Sequence, residues 1–332
     1  MKRRAWIQTA LGLGLLAQWP AHNTAHAAAR LRWQTTTFTG LGTTLSIRAA
    51  HTDAATLDAA LADARHVVAR IEDQMSLFRP SSAISQLNRD GVLPNPAPEL
   101  LRILETSQRI SAQSHGAFDV TVQPLWALYA QAQKHGRLPT AAEVQAVRQQ
   151  VGWQHLQVSA ARVAFGKPAM GITLNGIAQG YAADRVRERL QSAGIAHALI
   201  NTGEWSSLGQ AEGQRDWTLG IANPHHADHV MARLRMQGLC VATSADDQCT
   251  FSADRRHHHI LDPETGDSPS DVSSVTVAAR SCTQADALTK VLFVGGYAHA
   301  LRLARAWRVA AIVVHKDGRW QASPALSHHV TV

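Results

Sequence analysis

Two hydrophobic periods meet near residue 52, and that junction narrows the fold more than any other feature of the chain. From Arg32 to Ala49 polar and apolar residues alternate as in half-buried strands, with a break at Thr39-Gly40-Leu41-Gly42. Beyond Thr52, a residue suited to capping, Leu57, Leu61, Ala64, Val68 and Ile71 fall on one face of a helix. One or two strands feeding straight into a long amphipathic helix put sheet and helix in separate layers, which predicts an α+β chain.

The remaining pattern agrees. Pro80 and its serines break the first helix, and a short helix is expected from about Ser82 to Asn88. Amphipathic helices follow from Pro98 to Ser114 and from the capping box Thr140-Ala141-Ala142-Glu143. Strands are expected near Trp153 to Ala164, Gly171 to Leu174, Ala196 to Asn201, Trp217 to Ile221, Gly238 to Thr243, Val272 to Ala278, Arg308 to His315 and Trp320 to Ala322. Helices are expected over 177–193, 283–293 and 297–306. With 332 residues, 45% of them apolar, the chain has enough material for a large core, and no linker composition divides it.

The first residues carry a basic start, an apolar run from Ala5 to Trp19 and small residues around Ala25-His26-Ala27, which together read as an export signal over residues 1–27. The order Arg3-Arg4-Ala5-Trp6-Ile7 is similar to a twin-arginine signal. Residues 28–332 would then be the mature domain, in the periplasm. Loss of Lys2, Arg3 and Arg4 lowers the formal charge from +7 to +4, and no basic stripe interleaved with aromatics remains, so a nucleic-acid partner is not expected. Cys240, Cys249 and Cys282 lack the paired spacing of a zinc site.

Four stretches carry chemistry. In LNGIAQGYAADRV, residues 174–186, an Asn-Gly turn opens a helix, and Gly176 and Gly180 suit either a phosphate or close packing. In HGAFDVTVQPLW, residues 115–126, a small Gly-Ala step before Phe118 and Asp119 suits a flat ring, and equally suits a helix end followed by a strand. HHHILDPETG, residues 257–266, brings three histidines that cannot converge on one ion, because adjacent strand residues alternate faces. In SCTQADALTKVLFVGG, residues 281–296, Thr283 can cap a helix with Asp286 in its first turn. That carboxylate is free either to ligate magnesium or to pair with Lys290 one turn along.

In this order and spacing, with GLGTTLSI, MSLFRPSSAISQLN and VATS at 241–244, these stretches resemble the ApbE family, the FAD:protein FMN transferases, over nearly all of the mature chain. The resemblance implies an α+β fold of two T-fold-like halves packed as one unit, with FAD between them and magnesium at its pyrophosphate. It implies transfer of FMN through a phosphoester to Ser or Thr of an acceptor protein such as a membrane redox subunit, with AMP leaving. An FAD pyrophosphatase or a non-catalytic flavin carrier would use the same cleft.

Matched position by position, the resemblance implies that Leu41 and Phe78 would border the flavin or adenine rings, and that Ala117, Phe118, Asp119, Thr173, Gln179 and Ile260 would hold FAD. The Gly176 carbonyl and Asp286 carboxylate would coordinate magnesium. His259 would be the base for the acceptor hydroxyl, since imidazole titrates near neutrality, with His257 and His258 as solvated neighbours. The chain departs from the family at Lys290, where Thr or Ser is common, while Thr289 points about 100° away. It also departs at Thr173 and Gln179, where Asp and Lys are frequent, and in TSADDQCTF, which lacks the usual Gly and aromatic.

Overall fold

The computed structural model describes residues 30–327 and 329–331, and the expected export segment, residues 1–27, lies outside them. The alternating segment forms strands β1 (Arg32–Gly40) and β2 (Thr43–His51), paired antiparallel in unbroken register. Leu41 and Gly42 make the two-residue turn, both with positive φ, as hairpins of this length require. Helix α1 (Ala54–Met75) buries the predicted stripe, but Asp53 rather than Thr52 caps it, because the Asp53 carboxylate accepts the Thr56 N–H at 2.7 Å.

An insertion then runs through α2 (Ala83–Asp90), β3 (Val92–Pro94), α3 (Pro98–Gln113), α4 (Gln123–Lys134), α5 (Ala141–Arg148), β4 (Leu156–Val158) and β5 (Arg162–Phe165). The chain returns through α6 (Ala178–Ser192), β6 (His197–Asn201) and β7 (Trp205–Leu208). A second insertion, β8 (Thr218–Asn223) and β9 (His226–Arg235), precedes β10 (Cys240–Ala245), β11 (Val272–Ala279), α7 (Cys282–Val294), α8 (Tyr297–Ala306), β12 (Ala310–His315) and β13 (Trp320–Ala322). The short β14 (Val330–Thr331) pairs with β9.

Without the insertions, each half reads hairpin, two helices, hairpin. Their strands join in one antiparallel sheet of order β1-β2-β6-β7-β10-β11-β12-β13, with β7 and β10 at the seam. This is the α+β unit that the pattern predicts, in the two halves that the family resemblance implies. One face of the sheet packs on α1, α6, α7 and α8, with Leu45, Ile47, Val275, Val277, Leu288 and Phe293 among its fully buried side chains. The other face carries a smaller cluster under β8 and β9, around Trp217, Leu234 and Ile312. Having both faces covered, β11 is buried along its whole length.

Other sequence expectations change as well. Residues 171–174 form no strand: the Ile172 backbone pairs with the Asn88 amide at 2.7 and 2.8 Å, and Thr173 N–H donates to the Val120 carbonyl. The stretch after Phe118 is a single 3-10 turn leading into α4, with Pro124 in the first turn, where its missing N–H costs nothing. Helix α7 is capped by Ser281 rather than Thr283, which moves Asp286 out of the first turn. An apolar group of Leu125, Tyr129, Phe251 and Leu261 fastens the loop between β10 and β11 to α4, so the first insertion holds the segment that carries the three histidines.

Candidate active site

Where the two halves meet, a cleft of about 730 Å³ opens. It is lined by the hairpin turn, the 117–126 segment, the start of α6, the β6–β7 turn, the end of β10, the histidine loop and Lys290 of α7. Phe78, Ala117, Phe118, Asp119, Thr173, Gly176, Gln179, His259 and Ile260 are all brought to its wall. Phe78 stands 76% exposed in the cleft lining, the most exposed large apolar side chain described, while Phe118 of the same lining is buried. Trp126, which the sequence reading passed over, adds a third aromatic and meets Phe251 edge-on. Such a wall suits flat rings.

Two residues matched by resemblance are not on the wall. Leu41 packs against the core while Gly42 and Thr43 face the cleft. Its backbone is occupied, N–H donating to Glu72 at 3.2 Å and carbonyl accepting from Gln179 at 3.4 Å. The Asp286 side chain is only 1% exposed and lies behind Lys290. Asp119 reaches the cleft, but its carboxylate is spent on Thr121 N–H and Oγ1 and on Trp153 N–H, at 2.7 to 2.9 Å, with burial holding it above the usual carboxylate range. Its visible task is to shape the loop.

The turn at Asn175-Gly176 that leads into α6 also gives less to a ligand than its sequence suggests. The N–H groups of Ile177 and Ala178 donate to the Leu174 carbonyl, and Gly180 N–H donates to Asp286 Oδ2 at 2.9 Å. Gly180 serves packing rather than ligand approach: a Cβ there would strike the Cys282 carbonyl and come within 2.7 Å of Asp286 Cβ. Gly176 lies against the Lys290 stem, a Cβ meeting Lys290 Cε at 3.2 Å.

The charged centre of the cleft is a Lys290–Asp286 ion pair. Lys290 Nζ sits 2.5 Å from Asp286 Oδ1 and 3.1 Å from the Asp286 carbonyl. Glu204, buried in the NTGEWSS turn and overlooked in the sequence for want of a motif around it, joins them. Burial first and the Asp286 charge second push its carboxyl well above the ordinary range. Thr289 turns away, its Oγ1 2.7 Å from Ser244 Oγ and 2.6 Å from the Asp286 carbonyl.

These donors do not fit a magnesium ion as they stand. Magnesium asks for near-octahedral oxygens at about 2.1 Å. Here one Asp286 oxygen holds an ammonium and the other an amide N–H, and the Lys290 stem lies over Gly176. Two like unit charges about 4 Å apart repel by roughly 4 kcal/mol at an effective dielectric near 20, and a divalent ion doubles that. Among the described residues no group of three or more His, Cys, Asp or Glu is placed to hold a metal. In this arrangement the Asp286 carboxylate expected to coordinate magnesium with Gly176 is engaged instead in a lysine–aspartate pair.

The three histidines separate cleanly. His257 Nδ1 pairs with Asp267 Oδ1 at 2.7 Å and stacks on Tyr129. His258 is no solvated neighbour: it is fully buried, edge-on to Phe293, with its ring nitrogens paired to Ile260 N–H and the Pro269 carbonyl. Burial lowers its pKa to about 4. His259 lines the cleft, and its Nδ1 lies 3.2 Å from the Cys249 carbonyl, a contact that requires Nδ1 to carry the proton. The Nε2 lone pair is then free to accept. Burial, reinforced by the Lys290 charge, lowers the pKa of His259 from its ordinary value, which keeps the base form at neutral pH.

Residues 41–313 match the ApbE family. The chain is 30% identical over 256 residues to an FAD:protein FMN transferase of Vibrio cholerae, covering 74% of this chain and 76% of that protein. It is 28% identical over 302 residues to one of Treponema pallidum, covering 84% and 83%. Among solved structures, the flavin transferase ApbE from Vibrio cholerae aligns with TM-score 0.78 and 26% identity over 90% of this chain and all of that one. The apo flavinyl transferase ApbE of Pseudomonas stutzeri gives 0.79 and 26% over 90% and 97%.

Proposed function

This chain belongs to the ApbE family of FAD:protein FMN transferases, and we propose that it moves FMN from FAD to a Ser or Thr hydroxyl of an exported acceptor protein. The observation that carries the reading is one cleft with an aromatic wall, a neutral histidine with a free Nε2, and a lysine close enough to lower that histidine's pKa. Phe78, Phe118 and Trp126 take the rings, and the backbone of 117–119 with Thr173, Gln179 and Ile260 frames them.

His259 Nε2 removes the acceptor Oγ proton as the Oγ–phosphorus bond forms at the FMN phosphate. The bridging phosphorus–oxygen bond breaks and AMP leaves. No step is given to magnesium, because Lys290 holds its expected donors. The export signal read in residues 1–27 supports a periplasmic setting, and an acceptor such as a membrane redox subunit follows from the family resemblance alone.

The test follows AMP by chromatography with and without a flavin-acceptor domain. Acceptor-dependent AMP release is expected, reduced about 10²- to 10⁴-fold in His259→Ala. Equal AMP and FMN release without acceptor would make the chain an FAD pyrophosphatase instead, and intact bound FAD would make it a carrier.

A further inference from the structure

We propose that Lys290 is the resident cation of this cleft: its ammonium binds the pyrophosphate of FAD in the place a divalent ion would take, so FAD binding and FMN transfer need no added divalent metal. The proposal rests on the flavin-transferase reading and goes beyond it.

Four observations carry it. Lys290 is the one Lys or Arg among the described residues lining the cleft, so the positive charge an anionic pyrophosphate requires has a single source among them. Its ammonium has three protons, of which Asp286 Oδ1 and the Asp286 carbonyl take two, leaving one for a ligand oxygen. Its stem is fixed on one side by Gly176 and at its head by the i,i+4 aspartate, so the charge is positioned before any ligand arrives. Two of the first amides of α6, Ala178 N–H and Gly180 N–H, already donate to the Leu174 carbonyl and to Asp286, which leaves them unavailable to an anion.

A purely structural lysine, present only to neutralise buried Asp286, would have no reason to stay 20% exposed in the ligand cleft. In the reaction Lys290 forms no bond. It holds the phosphate oxygens while the acceptor Oγ–phosphorus bond forms, the bridge breaks toward AMP, and the Oγ proton passes to His259.

The test measures FAD affinity of the purified full chain by flavin fluorescence, in EDTA and in excess magnesium, together with calorimetric titration of magnesium into the FAD-free protein. Wild type is expected to bind FAD equally in both buffers and to show no magnesium heat. Lys290→Met should weaken FAD binding roughly 10- to 100-fold in both, the loss of one charge-assisted hydrogen bond.

Lys290→Thr, which uncovers the Asp286 oxygen and adds a hydroxyl, should bind FAD weakly in EDTA and recover with magnesium. Thermal melts check that both variants fold, and the wild-type comparison stands without them. Wild-type FAD binding that appears only with magnesium would overturn the proposal while sparing the transferase reading. No FAD binding in either buffer would overturn both.

Discussion

Helices α6 and α7 pack against each other, and each supplies an aspartate to the other's N-terminal end, yet the two ends are finished in opposite ways. At the start of α7, Asp184 from α6 accepts from Cys282 N–H, Thr283 N–H, Thr283 Oγ1 and Ser281 Oγ at 2.7 to 2.9 Å, and Ser281 caps the helix as well. Both oxygens of that carboxylate are thus engaged by donors of the protein itself. At the start of α6, no side chain caps the helix, and Asp286 from α7 gives one oxygen to Gly180 N–H and the other to Lys290, whose head reaches the cleft. The closed end holds the two halves together, and the open end is where a ligand can take part. Sequence proximity to a helix N-terminus does not distinguish the two; the partner of the second carboxylate oxygen does.

The contrast between the two helix ends is greatest at Asp286. Asp286→Ala leaves Lys290 and Gly180 N–H without their partner and should cost about 3–5 kcal/mol in urea unfolding, together with loss of FAD binding. Asp184→Ala should cost roughly 3 kcal/mol, because several buried donors lose a charged acceptor, while the folded fraction keeps wild-type FAD affinity. If FAD affinity fell as far in Asp184→Ala as in Asp286→Ala, the distinction between a closed and an open end would fail. Gly180→Ala drives a Cβ into α7 backbone and should cost about 2 kcal/mol, with FAD binding weakened because Asp286 must shift.

The smallest effect extends the contrast to the adjacent histidines, one closed and one open. His258 stays neutral in the fold down to about pH 4, whereas its unfolded form protonates near 6.5. The unfolded state therefore binds the extra proton between those values, and stability falls as pH drops through that window, by roughly 2 kcal/mol from pH 6.5 to 5. Urea midpoints measured across this range should show a flatter slope in His258→Asn. An unchanged slope would mean that the buried ring is not the source.

Much of the frame was legible because it rests on local periodicity and caps. The 3.6-residue stripe from Leu57 to Ile71 became α1, and the Thr140–Glu143 capping box opens α5 with both of its reciprocal hydrogen bonds. What stayed hidden depends on partners distant in sequence. Gly171 to Leu174 has strand composition, but its backbone partners are an Asn88 side chain and the Val120 carbonyl. Helix α4 was concealed by the β-branched residues before Gln123, although Pro124 marked its first turn.

At the site, residue types were legible and their engagements were not. Asp119 looks like a ligand carboxylate until Thr121 and Trp153 are seen to use it. His258 looks exposed beside two other histidines until Phe293 covers it. Glu204 carries no motif, and only burial beside Asp286 distinguishes it.

The account stands most directly on the mass of an acceptor domain after incubation with FAD and this chain, with divalent ions present and, in parallel, chelated. A gain of one FMN per acceptor with matching AMP, in both buffers and abolished in His259→Ala, is the expected result. An acceptor of unchanged mass, with FMN and AMP free in solution or FAD intact, would contradict it.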